Sequence, residues 1–287
     1  GGITVSGNLF FSSDAYTIQN NSITLNGTSQ TIDVDSGLKV TISSVIAGSS
    51  GFNKTGSGGL VLTGSNTSSG TATVSSGHLW VNNSSGSATG TGAVVVSSGS
   101  TLGGSGSISG LVTINAGGSL APGSADYTVG SLNFTNSGSD NTWYGNNSSS
   151  YIWNIKDFSG SEGSGWDILT FTDSLNVINT SGLAKIYIES ISGSGSLGLA
   201  SNQNSSGSSI RILNTGGVGD FKLGGVTATN SLLDSYFQLD DMGYYNGFTR
   251  WWLTTDGQAL FLNYEAVPEP STWFCLMLLV AVLTSKL

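Results

Sequence analysis

The sequence predicts an all-β protein: a β-solenoid with a C-terminal β cap region and one short C-terminal hydrophobic helix. Only 9% of its 287 residues are charged and 43 are Gly, so long amphipathic helices lack both a charged face and a stiff backbone. Ordinary soluble domains carry about 25% charge. Apolar residues come in short bursts with period two, the pattern of half-buried strands. Val96, Leu102, Ile108, Ile114 and Leu120 follow one another at intervals of six. One large aliphatic residue per six, with Gly and Ser between, suits stacked coils that bury a shared column. Evenly spaced strands of an antiparallel sandwich or barrel are the competing reading.

Composition removes several classes. There is no Gly-X-Y period and only 3 Pro, which excludes collagen. Seven Trp, 9 Tyr and 11 Phe argue against disorder. The net charge of −9, without a basic stripe, excludes a nucleic-acid footprint. One cysteine, Cys275, and one histidine, His78, form neither an internal disulfide nor a Cys- or His-based metal centre.

Residues 1–136 read as the solenoid region. Its first part alternates as Ile3/Val5, Leu9/Phe11, Ile23/Leu25, Ile32/Val34 and Leu38/Val40/Ile42, with turns at Asn26-Gly27 and Ser36-Gly37. Leu60-Val61-Leu62, Ala72-Thr73-Val74, Leu79-Trp80-Val81 and Ala93-Val94-Val95-Val96 follow as further strands. From Ser36 to Ala125 there is no Asp or Glu, only Lys39, Lys54 and His78. Ladders of Ser, Thr and Asn stack there without like-charge repulsion.

The run from Lys54 through Gly59-Leu60-Val61-Leu62, Gly64-Ser65-Asn66-Thr67, Thr71-Ala72-Thr73-Val74 and Gly77-His78-Leu79 carries a resemblance. Over about residues 52–81 it is similar to the autotransporter-associated β-strand repeat: lysine, a Leu-x-Leu strand, Gly-x-Asn-Thr, a Thr-x-Val strand and Gly-x-Leu. The resemblance implies a right-handed parallel β-helix on an exported protein, and no reaction.

Residues 137–150, rich in Ser, Asn and Gly, read as a polar linker-like stretch. Residues 151–265 read as an aromatic-rich β region that caps the solenoid end, which otherwise exposes unpaired strand edges. Trp251 to Leu262 is expected to form a hairpin turning at Asp256-Gly257. Alternation turns one of Trp251 and Trp252 outward, where it is a candidate carbohydrate contact.

Residues 266–287 form a tail. Val267, Pro268, Glu269, Pro270 and Ser271 precede the apolar run Trp273, Phe274, Cys275, Leu276, Met277, Leu278, Leu279, Val280, Ala281, Val282 and Leu283, and Lys286 supplies a basic end. This segment resembles the PEP-CTERM sorting signal. The resemblance implies export, transient membrane anchoring through the helix, and recognition by an exosortase-type protease at the cell envelope. Two departures stand out: the family usually ends in several Arg, and eleven apolar residues fall short of a bilayer span of about 20.

Chemistry is weakly represented. Asp157, Glu162, Asp167 and Asp173, and Asp234, Asp240 and Asp241, are the densest acids. A glycosidase needs two carboxyls held roughly 5–9.5 Å apart across a cleft. These acids read instead as solvated turn residues. Gly216-Gly217-Val218-Gly219-Asp220 reads as a turn rather than a calcium-binding repeat. The expectation is an exported surface or extracellular-matrix structural protein with no catalytic activity and no cofactor. Exopolysaccharide is its expected partner, and the alternatives are an adhesin or carbohydrate-binding module and a β-helix polysaccharide enzyme.

Overall fold

The computed structural model describes residues 2–13, 16–192, 195–197, 200, 208–217, 219–240 and 249–266. They form a parallel β-helix with three faces. Among the described residues the first face is a ten-stranded sheet running from Leu9–Phe11 to Phe221–Leu223 and closing on Val226–Thr227. The second is nine-stranded, from Thr17–Ile18 to Phe237–Asp240. The third is split into a three-stranded sheet ending at Ile46–Ala47 and a six-stranded sheet starting at Ser107–Ile108.

The six-residue rhythm is the coil itself. Val96 lies on the first face, Leu102 on the second, Ile108 on the third, and Ile114 returns to the first, 18 residues on and directly paired with Val96. All five rhythm residues are fully buried. Each short strand turns one or two knobs inward and relies on its neighbours above and below for coverage, which is why no coil stands alone.

Where the third face lacks strands, side chains take over the ladder. Asn66 accepts from Ile46 N through Oδ1 at 2.7 Å and donates from Nδ2 to Ala88 O, so one buried amide joins three coils. Lys54 stands in the column where aliphatics are expected, between Ile32 and Val74. Its Nζ reaches the corner and donates to the carbonyls of Thr55, Gly56 and Ser76 at 2.6, 2.8 and 3.2 Å. Burial lowers this ammonium to about 8, against a weaker upward pull from Asp33.

Two expectations need correction. The stretch 137–150 is not a linker: Asn141–Asn146 is a strand that pairs in parallel with Val112–Ile114 on one side and Leu175–Ser181 on the other. Its polar flanks are the loops at the coil's corners, while Trp143 fills the column between Ile114 and Val177. The cap is also narrower than residues 151–265, because parallel coils continue as far as Phe237–Asp240. Among the described strands, antiparallel pairing joins Phe221–Leu223 to Val226–Thr227 and Ser208–Asn214 to the hairpin Thr249–Thr255/Ala259–Ala266, and isolated antiparallel bridges occur at Gly104/Gly123, Ile155/Trp166 and Ile191/Leu197. That hairpin turns at Asp256-Gly257 as expected, with Gly257 at a φ of 91°. A four-residue helix at Asn230–Leu233, not anticipated from the sequence, closes the column with Leu233.

Candidate binding slot on the second face

In the strand His78–Val81, Leu79 and Val81 point into the column, so His78 and Trp80 must face outward. The Trp80 ring lies against Gly59 and Gly103; a methyl group at Gly103 would collide with the indole and with the Ala121 carbonyl. Val61, Trp80 and Ala121 are buried on this outer surface and pack with Ile152, a satellite core outside the solenoid. His78 stacks on Trp80 with ring centroids 5.7 Å apart and planes 1° apart.

Residues 123–130 leave the sheet after Pro122. Asn82 Nδ2 donates to Ser124 O at 2.9 Å, and Thr128 Oγ1 both accepts from Ala125 N at 3.0 Å and donates to Ala125 O at 2.7 Å. The tip residue Tyr127 adopts a φ of 57°, in the left-handed region. A non-glycine residue there costs on the order of 1–3 kcal/mol. Tyr127 is 43% exposed.

Between this loop and the sheet lies a slot of about 130 Å³, lined by His78, Trp80, Thr101, Ala121, Pro122, Ala125, Asp126, Tyr127, Ile152, Asn154 and Glu189. Among the described residues that line it there is no Lys or Arg. Burial raises the Glu189 carboxyl above its usual range, and the charge of Asp126 adds to the effect.

Asn154, only 3% exposed, is on the rung of Glu189. Its N and Nδ2 donate to Asp167 Oδ2 at 2.8 and 2.9 Å, while its Oδ1 has no partner. His78 Nδ1 is likewise buried without a partner. Buried polar atoms normally find one; these two are unpaired and closed off from solvent.

Asp167 is the post behind the site, and it corrects the expectation that the acids are solvated. It is fully buried, accepts from Gly130 N through Oδ1 at 2.7 Å, and offers its own carbonyl to Trp153 Nε1 at 2.7 Å. Burial pushes its carboxyl well above the usual range despite hydrogen bonds from Asn154 and Gly130. By binding both Gly130, where the loop rejoins the sheet, and Asn154, it ties two walls of the slot together.

The residues singled out from sequence lie elsewhere. Trp251 packs inward against Phe158 and Tyr264, with ring centroids at 6.4 and 5.3 Å, whereas Trp252 is 39% exposed. Glu162 pairs with Arg211 at 2.7 Å, and Asp173 accepts from Gly138 N at 2.6 Å and Ser174 N at 2.8 Å. Asp241, Val267 to Ser271, the run Trp273 to Leu283, and Lys286 lie outside the described residues. Among the described residues no helix is long and apolar enough to cross a membrane, and no group of three or more His, Cys, Asp or Glu is placed to hold a metal ion. Sequence reasoning misses Asp126, Asn154 and Glu189; alternation around Leu79 and Val81 is the available signal for His78 and Trp80.

No family model matches the chain. Among curated proteins, it is similar to the adhesin BmaC autotransporter of Brucella suis biovar 1 (strain 1330), with 39% identity over 136 residues. The match spans 47% of this chain and 4% of that protein.

Proposed function

We propose that this chain belongs to an exported bacterial surface or extracellular-matrix protein, in which the β-helix is a passenger-type scaffold of adhesin character without catalytic activity. The observation that carries the reading is the similarity to an autotransporter adhesin. The uninterrupted parallel stack supports it, since such a stack grows coil by coil and presents outward rows of Ser, Thr and Asn as a charge-poor surface. The non-catalytic part is supported by acids engaged in structure: Asp140 with Lys222 at 2.8 Å, Glu162 with Arg211, and Asp167 with Gly130 and Asn154.

We further propose that Val267 to Ser271 and the apolar run after them act as a sorting signal. In this reading an exosortase-type protease handles the tail at the envelope, the chain is transiently anchored, and exopolysaccharide is its neighbour. Mass spectrometry of C-termini recovered from cytosol, envelope and medium of the native host tests this. Termini near Pro268-Glu269-Pro270 in envelope or medium are expected; an intact tail on a cytosolic protein would overturn the reading. Reducing ends released from polysaccharide by the purified chain would overturn the non-catalytic part.

A further inference from the structure

We propose that Asn26 is a site of spontaneous covalent modification: the backbone nitrogen of Gly27 closes on the Asn26 side chain, converts it to aspartate and isoaspartate, and the isoaspartate product loosens the first coils. Asn26-Gly27 is the turn that follows the strand Ile23–Leu25, and both residues are exposed. Glycine has no side chain to stand between its own nitrogen and the preceding side chain, so the approach is open. Among the described residues the Gly27 nitrogen donates no hydrogen bond. The target is loosely held as well: Asn26 Nδ2 makes a long, exposed hydrogen bond to Ser6 Oγ at 3.4 Å.

The turn at Asp256-Gly257 shows the protected form of the same arrangement. Gly257 is buried and its N donates to Thr255 Oγ1 at 3.0 Å, while Asp256 Oδ1 accepts from Gln258 N at 2.9 Å and Ala259 N at 2.7 Å. Attacking nitrogen and attacked carboxyl are both engaged there. Asn-Ser pairs are tethered too. Asn83 Nδ2 donates to Ser85 O and Gly86 O, each at 3.0 Å, and Asn147 Oδ1 accepts from Leu183 N at 3.1 Å. The second Asn-Gly pair of the chain, Asn246-Gly247, lies outside the described residues.

The chemistry needs only water and hydroxide, so the inference is independent of the surface reading. Hydroxide takes the proton of Gly27 N–H, and the nitrogen attacks Asn26 Cγ. The Cγ–Nδ2 bond breaks, and Nδ2 leaves as ammonia with a proton from water, which returns the hydroxide and leaves a cyclic imide. Water then opens the ring. Cleavage of the new N–Cγ bond gives aspartate; cleavage of the original peptide bond gives isoaspartate, whose backbone runs through Cγ and is longer by a methylene. The added length falls where hydrogen bonds fix the register of neighbouring coils: Asn26 N to Val5 O at 2.9 Å, Gln30 Nε2 to Asn26 O at 2.7 Å, and Ser50 Oγ to Gly27 O. Aspartate, by contrast, adds a charge and leaves the backbone length as it was.

The test is incubation of the full chain in mildly alkaline buffer made with heavy-oxygen water, followed by peptide mapping in ordinary water by mass spectrometry. The peptide with Asn26 is expected to show amide-to-acid conversion with heavy oxygen incorporated, at a rate that rises with pH and exceeds that at Asn83 and Asn147 at least tenfold, while Asp256 stays unisomerised. An unchanged Asn26 peptide, or conversion no faster than at Asn83 and Asn147, would overturn the proposal. Hydrogen exchange on the separated isoaspartate form reads the consequence. Amides of Ile23–Leu25 and Ser29–Val34 are expected to exchange at least tenfold faster than in the parent, and those of Val94–Val96 at the parent's rate, since coils feel chiefly their neighbours. Freshly purified Asn26→Asp, with the charge and no added methylene, is expected to exchange as the parent does. Parent-like exchange in the isoaspartate form, or equal loosening by Asn26→Asp, would overturn the proposed effect on the coils.

Discussion

The coils before residue 120 and those after it solve the same packing problem with coils of different length and different fillers. Along the first face the inward rungs Ile32, Lys54, Val74, Val96 and Ile114 are 22, 20, 22 and 18 residues apart. From Ile114 the spacing grows to 29 at Trp143, 34 at Val177 and 46 at Leu223. The fillers grow at the same point: Leu120 is followed by Tyr151 on the second face, Ile108 by Phe134 on the third. The longer coils carry part of their extra residues in loops such as 123–130 that leave the sheet, and they fill the column with aromatic rings where the shorter coils use aliphatics. The early coils are thus held by a repeat of small parts, and the later ones by individual large side chains and buried hydrogen bonds.

The largest expected break is at the junction. Trp143→Ala should cost about 3–5 kcal/mol, and in a stack with only neighbour contacts it should split one denaturation transition into two. Asp167→Ala leaves Gly130 N, Asn154 N and Asn154 Nδ2 without their acceptor and should cost about 3 kcal/mol in urea melts. Gly103→Ala crowds Trp80 and Ala121, with an expected loss of about 1–3 kcal/mol.

Lys54 sharpens the contrast by pH. Between about 8 and 10.5 its amine is neutral in the folded chain and charged in the unfolded one. The unfolded chain then binds more protons, so stability should rise with pH across that window. Lys54→Met should flatten the rise in thermal melts at paired pH values. Smallest of all, Glu162→Gln breaks a half-exposed ion pair with Arg211 and should shift stability by less than about 1 kcal/mol.

What is legible in the sequence follows the same divide. Between Val96 and Leu120 a coil is short enough for one period to mark every face, so the six-residue rhythm alone identifies the rungs. Asn141-Thr142-Trp143-Tyr144-Gly145-Asn146 turns Asn, Trp and Gly inward, and two small or polar residues among three conceal a strand inside polar loops. Lys54 is legible as part of the repeat motif, although its place in the column depends on carbonyls at a corner. The slot joins His78, Asp126, Asn154 and Glu189 from separate coils, and Asp167 reaches 37 positions back to Gly130. Such partners are set by register between coils, which local alternation does not encode.

The central claim is one uninterrupted stack that carries both the long coils and the slot. Hydrogen–deuterium exchange across residues 137–150 of the full chain tests it most directly. The account predicts that amides of Asn141–Asn146 exchange as slowly as those of Val112–Ile114 and of Leu175–Val177. Complete exchange of Asn141–Asn146 within seconds, with both neighbours still protected, would contradict it and restore a linker between two separate bodies.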